Sequence, residues 1–304
     1  MTVRGTQHAV RETQSVAQTL LHATYALAAA GCDTPHLDAE VLLAHVLKKD
    51  RAWLYAHPEH LLSLRQLSDY QALTSRRAKQ EPVAYLTGHK EFFGLDFIVT
   101  PGVLIPRPET ERLVEIALQV VGARLAPAPR SGASRAPTII ADVGTGSGAL
   151  AVTLAVHLPE ARVLATDISA AALAVARRNA ARHGVADRVH CVQGDLLAPL
   201  VEAFQLIVAN PPYLSQADLD AAPPEVANWE PRAALDGGPD GLAVIRRLLS
   251  MVSDRPCSGG LLLVEIGAGQ GTDALALARR HLPQVTAEIA RDYAGLDRVL
   301  IAHF

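Results

Sequence analysis

The apolar run Thr138–Val143 passes directly into Asp142-Val-Gly144-Thr-Gly146-Ser-Gly148, and a helix-forming stretch follows without a gap. Few folds accommodate a strand, a three-glycine turn and a helix in that order. Glycine lets the backbone turn sharply and lets a ligand come close to the peptide groups. The helix behind the turn directs its free N–H groups at whatever sits above it, which favours a carboxylate or phosphate. The spacing is GxGxG, not the GxGxxG of dinucleotide sites. Beyond this unit, strands and helices alternate. Candidate strands are 138–143, 162–166, 189–192, 206–209, 261–266, 285–289 and 299–302, with helices near 148–157, 169–183, 240–252 and 270–281. Such alternation predicts an α/β fold with a mostly parallel seven-stranded sheet covered on both faces.

The next strand ends in Thr166-Asp167, with Asp167 standing 23 residues after Gly144. A carboxylate at that strand end can accept both hydrogen bonds of a ribose diol. A third strand end, Gly194-Asp195-Leu196, lies where an adenine would sit, and Asp195 could meet its amino group. The same dipeptide also serves as a plain turn.

The strand Leu206–Ala209 ends in Asn210-Pro211-Pro212-Tyr213. In open parallel sheets, ligands bind at the carboxyl ends of the strands. The two prolines lack N–H donors and stiffen the turn. What remains is a set of acceptors, the Asn210 side-chain oxygen and the Pro211 carbonyl, suited to the two donors of a planar NH2 group. Tyr213 offers a flat face on which a planar amide or base can stack. Such a site aligns a delocalised, weakly nucleophilic nitrogen against an electrophilic carbon. No strong base is needed first, because the nitrogen becomes acidic as it gains the carbon.

The remainder of the 304 residues sets the context. Residues 1 to about 85 read as helical: apolar spacing over Val16–Leu27 stops at Gly31, Pro35 opens a second helix, Pro58 marks another start, and 61–78 forms a further helix. Glu91–Val99, aromatic and β-branched around Gly94, predicts a β-hairpin. A helix is expected from about Glu109 to Val121, and the Pro/Ala/Ser-rich stretch 123–137 reads as a surface linker. Hydrophobic residues at 49% support a sizeable core. The net charge is −3, with +1 on residues 1–85 and −4 on the rest, so neither part resembles a nucleic-acid clamp. Cys32, Cys191 and Cys257 are far apart and form no CxxC pair, which argues against a disulfide framework or a zinc knuckle. The twelve histidines form no ligand-like pair beside carboxylates, and no metal is expected. Arg4, His8, Arg11 and Glu12 interrupt any signal-peptide pattern, and no run reaches the ~18 apolar residues of a membrane span. A cytoplasmic protein is the expectation.

The chain resembles the class I S-adenosylmethionine-dependent methyltransferases and, more closely, the HemK/PrmC family of protein-glutamine methyltransferases. Those enzymes methylate the Gln of the Gly-Gly-Gln motif in peptide-chain release factors. The resemblance covers nearly the whole chain and is most specific over 82–304. It rests on Pro82-Val-Ala-Tyr-Leu-Thr-Gly88, Glu91-Phe-Phe93, Leu104-Ile-Pro-Arg-Pro-Glu-Thr110, the glycine loop, Asn210-Pro-Pro-Tyr213 and the segment from Trp229 to Leu242. It implies a Rossmann-like methyltransferase domain at 105–304 whose last strand runs antiparallel. A helical substrate-recognition domain at 1–85 and a connecting hairpin at 86–104 precede it. Gly144, Thr145, Gly146, Ser147 and Gly148 would hold the methionine end of S-adenosylmethionine and Asp167 its ribose, with Asp195 and Leu196 beside the adenine and Asn210 bordering the cofactor. Leu196 departs from the aromatic residue that the family often carries there. Asn210 and Pro211 would grip the substrate amide, with Pro212 and Tyr213 packed against it. Arg107 and Glu109 would line the mouth, and Trp229, Glu230 and Pro231 another wall. Arg107 and Glu230 equally suit a structural ion pair. The product would be S-adenosylhomocysteine and the partners release factors, with no direct nucleic-acid binding.

Two other readings compete. An adenine-N6 methyltransferase acting on DNA or RNA also presents a planar NH2, so Asn-Pro-Pro-Tyr alone does not discriminate. It would need base flipping and a strong phosphate grip, which the charge does not favour. A nucleotide-binding module or dehydrogenase fits poorly with the GxGxG spacing and the acceptor-rich turn.

Overall fold

The computed structural model describes residues 13–125, 138–254 and 260–304. The stretch 126–137, which includes most of the expected linker, and Cys257 lie outside the described residues. The chain divides into two compact units, Met1–Thr87 and Gly88–Phe304.

The first unit is helical: α1 (Val16–Ala29), α2 (Pro35–Leu47), α3 (Arg51–Ala56), α4 (Leu64–Arg77) and α5 (Val83–Thr87). Its starts are chemically marked. Ser15 with Gln18 and Ser63 with Gln66 form capping boxes, Asp50 accepts from the Trp53 amide, and Pro35 occupies the first turn of α2. Gly31, at φ +75°, follows the end of α1. The expected start at Pro58 is corrected: Pro58 lies in a turn, and the helix begins six residues later, where Ser63 satisfies the Gln66 amide. The short helices α3 and α5 have no counterpart among the helices that the sequence predicts. Val16, Leu27, Leu42, Leu43, Leu54, Leu67 and Tyr70 fill the core.

The second unit opens with a hairpin, β1 (His89–Phe92) and β2 (Leu95–Ile98). Its two-residue turn places Phe93 at φ +51° and Gly94 at φ +74°, the pattern of a type I′ turn. Phe92 and Phe97 are buried in the same core as the helices that follow, so by packing the hairpin belongs to this unit. After a single 3₁₀ turn, Pro108–Thr110, come α6 (Glu111–Leu125), β3 (Thr138–Val143), α7 (Ala149–His157), β4 (Ala161–Asp167), α8 (Ala170–Arg182), β5 (Val189–Gln193) and β6 (Leu206–Ala209). The chain continues through α9 (Gln216–Asp220), α10 (Pro224–Ala227), α11 (Ala243–Ser253), β7 (Leu261–Glu265), α12 (Gly271–His281), β8 (Thr286–Arg291) and β9 (Asp297–His303).

The seven strands form one sheet in the order β5-β4-β3-β6-β7-β9-β8. β5 through β7 run parallel, and β9 is antiparallel to both of its neighbours. Alternate residues face opposite layers. On β6, Leu206 and Val208 join the core beneath α6 and α7, whereas Ile207 and Ala209 join the core beneath α11 and α12. α11 buries Ile245, Leu248, Leu249 and Val252 at helical spacing. The strand order reverses between β3 and β6. The ends of β3, β4, β6 and β7 therefore converge at the switch point where open α/β sheets bind ligands.

Candidate active site

At the end of β3, Gly144, Gly146 and Gly148 all take positive φ, at +74°, +56° and +82°. At Gly148 a Cβ would come within 3.1 Å of the Ala176 Cα, so α8 packs directly on the loop. A Cβ at Gly144 or Gly146 would meet nothing within 4 Å, which leaves open space above the turn. Asp142 is fully buried beneath it. Its Oδ2 accepts from the Thr145 hydroxyl (2.6 Å) and from the Ala151 amide (3.0 Å), so it caps α7 from below, and its Oδ1 has no hydrogen-bond partner. Burial pushes the Asp142 carboxyl up to about 7, against the pull of those two donors and aided by nearby Asp167. Asn179, buried on α8, ties the loop down by donating to the Ser147 carbonyl and exchanging hydrogen bonds with Ile98 of the hairpin.

Asp167 meets this loop. Its Oδ2 accepts from the Gly146 amide (2.9 Å) and its Oδ1 from the Ser169 amide (2.8 Å). A carboxylate has about four lone-pair positions, so two amides leave acceptor capacity for a diol. Leu196 is half-buried at φ +49°, with its carbonyl taking the Thr166 hydroxyl. Asp195 is exposed and paired with Arg247.

The turn after β6 is the most tightly constrained part. Pro211 is buried; Asn210, Pro212 and Tyr213 are half-buried. The Asn210 Nδ2 donates to the Thr110 Oγ1 at 3.0 Å, so the amide's donor end is occupied and its Oδ1 is the end left to accept. Tyr213 donates its hydroxyl to Glu265 Oε1 at 3.1 Å. Glu265, at the end of β7, is fully buried, and its Oε2 has no hydrogen-bond partner. Burial raises its carboxyl to about 7. The Thr110 and Tyr213 hydroxyls and Arg298 pull the other way, and Glu109 adds to the rise. Burial, together with Glu265, also raises the Tyr213 phenol well above its ordinary value.

Two further segments hold the backbone of the turn. Gln270 bridges it to the loop Gly267-Ala-Gly-Gln-Gly271 between β7 and α12, accepting from the Gly267 amide (2.8 Å) and donating to the Tyr213 carbonyl (2.9 Å). Gly241 approaches so closely that a Cβ there would collide with the Tyr213 carbonyl oxygen. The Leu214 amide donates to the Leu235 carbonyl and the Leu214 carbonyl accepts from the Gly237 amide, a parallel bridge that aligns the Trp229–Leu242 segment beside Tyr213. Arg107 pairs with Glu230, which is buried and also accepts from the Ile105 amide. Arg107 and Glu230 thus form the ion pair that the sequence allowed beside a place at the pocket mouth. Glu109 is exposed on the 3₁₀ turn.

The structure thus joins Gly146 to Asp167 and Asn210 to Thr110, and it holds Tyr213 against Glu265. Thr110, Glu265, Gln270 and Asn179 carried no assigned role in the sequence reading. Glu265 had a visible signal: it is the one charged residue closing the otherwise apolar run Leu261–Glu265. Among the described residues no cluster of His, Cys, Asp or Glu is arranged to hold a metal ion, and no helix is long and apolar enough to cross a membrane.

Comparison with known proteins agrees across both units. Residues 18–88 match the family model of the PrmC N-terminal domain, and residues 133–226 that of the methyltransferase small domain. The release factor glutamine methyltransferase of Moorella thermoacetica is 46% identical over 287 residues, covering 94% of this chain and 97% of that protein. The protein of the same name from Geobacter sulfurreducens is 43% identical, covering 90% and 91%. Among solved structures, the catalytic domain of hMettl16 in complex with a 3′UTR hairpin superposes with a TM-score of 0.53 over 80% of this chain and 84% of that one. At 16% identity it speaks for the methyltransferase fold alone. With family models matched in both units and near-complete coverage of the relatives, the chain belongs to the release factor glutamine methyltransferase family.

Proposed function

We propose that this protein transfers a methyl group from S-adenosylmethionine to the side-chain amide nitrogen of the glutamine in the Gly-Gly-Gln motif of peptide-chain release factors, leaving S-adenosylhomocysteine. One observation carries the reading. The Asn210 NH2 is occupied by Thr110, so its oxygen stands beside the donor-free Pro211-Pro212 turn as an acceptor for a carboxamide NH2. The family relationship points to the same substrate.

S-adenosylmethionine supplies an electrophilic methyl on a sulfonium. The residues present suit it: open space over Gly144 and Gly146, and a carboxylate at Asp167 with spare acceptor capacity. In this reading Thr145, Ser147 and Gly148 complete the loop under the methionine end, while Asp195 and Leu196 border the adenine. Binding the adenine through Asp195 requires its carboxylate to share or exchange Arg247.

Asn210 and the Pro211 carbonyl accept the two N–H bonds of the glutamine amide, and Pro212 and Tyr213 pack against its plane. Both acceptors draw electron density toward the nitrogen and fix its direction of attack. The N–C bond forms as the C–S bond breaks, with the electron pair staying on sulfur. The nitrogen then gives its extra proton to water. The departing thioether is neutral, so the step asks for no metal or acid. The helical first unit serves substrate recognition, Arg107 and Glu109 flank the entrance, and the partner places the enzyme in the cytoplasm. Nucleic acid is not contacted directly.

The test is incubation with methyl-labelled S-adenosylmethionine and purified release factors, and separately with DNA, followed by peptide mapping. Label on the Gly-Gly-Gln glutamine is expected. Label on DNA, or none on the release factor, refutes the reading.

A further inference from the structure

We infer that Glu265 is a positioning residue of this site: its buried carboxylate accepts the Tyr213 hydroxyl, draws on the hydroxyl of the neighbouring Thr110, and thereby holds Asn210 with its oxygen, not its NH2, toward the substrate. The inference deepens the proposed function and rests on it.

The geometry begins with register. β6 and β7 are parallel, with Ala209 opposite Val264, so Asn210 and Glu265 are the next residues of their strands and lie side by side at the sheet's end. From this position Glu265 takes the Tyr213 hydroxyl on Oε1, while its Oε2 is buried without a partner. Thr110 arrives from the 3₁₀ turn before α6, is itself buried, and accepts the Asn210 Nδ2. A hydroxyl carries one proton. When the Thr110 proton is drawn toward the neighbouring carboxylate, its lone pairs remain for Asn210. A side-chain amide is otherwise free to turn over and exchange its oxygen for its NH2. An inverted Asn210 would present donors to a substrate NH2, and the site would lose an acceptor. A carboxylate buried at the cost of desolvation, one oxygen unsatisfied, is not a stability device. It is suited to polarising two hydroxyls in a low dielectric.

Protonation of Glu265 would undo this, because its own O–H would compete with Asn210 for the Thr110 oxygen. The charged and titratable groups facing it are Tyr213 from the turn after β6, Arg298 from β9, and Glu109 from the 3₁₀ turn. Arg107 lies near Tyr213 and is paired with Glu230. With its carboxyl raised to about 7 by burial, Glu265 titrates within the working range.

The full-length protein is compared with Glu265→Gln, Thr110→Val and Thr110→Ser. Turnover of release factor is measured across pH, with the substrate KM and the affinity for S-adenosylhomocysteine. Expected in the wild type is a rise in kcat as pH increases through about 7. Glu265→Gln should lower kcat about tenfold or more and flatten that limb, with KM and cofactor affinity within about twofold. Thr110→Val should copy the kcat loss and Thr110→Ser should restore it. Glu265→Gln with wild-type kcat and pH profile overturns the inference. So does a Thr110→Val enzyme with full turnover, which also decides the matter if Glu265→Gln fails to fold. A wild type that labels release factor while these variants match it refutes this inference alone; a wild type that leaves release factor unlabelled removes the proposed substrate and this inference with it.

Discussion

Asn210 and Thr110 stand 100 residues apart in the chain, yet the Nδ2 of one lies 3.0 Å from the Oγ1 of the other. This bond orients the turn after β6, because an amide whose Nδ2 faces Thr110 turns its oxygen to the other side. Asn210→Ala should lower methylation of release factor ten- to over a hundredfold, about 1.5–3 kcal/mol. Affinity for S-adenosylhomocysteine should stay within about twofold, as measured by calorimetry. Wild-type turnover in the variant would remove Asn210 from the mechanism.

Asp167 fails differently. It accepts from both Gly146 and Ser169, so it shapes the glycine loop and keeps lone pairs for a ribose diol. Asp167→Ala should weaken S-adenosylhomocysteine binding about ten- to a hundredfold, reflecting the loss of one or two charge-assisted hydrogen bonds. At saturating cofactor, turnover should recover substantially. A titration showing unchanged affinity would assign the ribose to another residue.

Arg107 and Glu230 make a pair in which the carboxylate is almost fully buried and the guanidinium only partly so. If the pair is structural, Arg107→Ala leaves Glu230 desolvated and unpaired, and stability should fall by about 2–3 kcal/mol. Arg107→Ala combined with Glu230→Gln should recover part of that loss. Chemical denaturation of the three variants reads this directly. A raised KM for release factor with stability unchanged would instead make Arg107 a substrate contact.

What the sequence disclosed follows from the range over which each signal acts. Thr138–Val143 and Leu206–Ala209 match their expected strands to the residue, and the other strands of the sheet fall within two residues of expectation; in the central strands burial on both faces imprints a continuous apolar run. The three glycines before α7 were legible because their positive φ demands that residue type. Pro58 misled because proline marks a turn as readily as a helix start; the local signal that counted was Ser63 three residues before Gln66. Thr110 and Glu265 escaped because their meaning lies in partners brought from distant strands. Nothing near Thr110 in sequence announces Asn210, and nothing near Glu265 announces Tyr213. The pairing of Asp195 with Arg247, 52 residues away, was hidden for the same reason.

Buried Asp142 should leave a mark on stability as a function of pH. Its folded carboxyl sits at about 7 against an ordinary 3.8, chiefly because burial disfavours the charge. Between those values the folded protein holds a proton that the unfolded chain has released. Stability is therefore greatest below about pH 4 on this account, falls as pH rises through the interval, and levels off above about 7. The slope from one such group is about 1.4 kcal/mol per pH unit, a few kcal/mol in all. Asp142→Asn abolishes that titration, so the variant should gain on the wild type steadily from pH 4 to 7 and hold a constant difference above. Glu265, raised to about 7 from 4.5, remains in the variant and keeps a shallower fall of its own. Urea unfolding in a Trp53→Phe background, with Trp229 reporting on the second unit, resolves the two curves. Parallel curves for wild type and Asp142→Asn between pH 5 and 8 would mean that Asp142 is ionised in the folded protein, and that donors to its Oδ1 offset the burial.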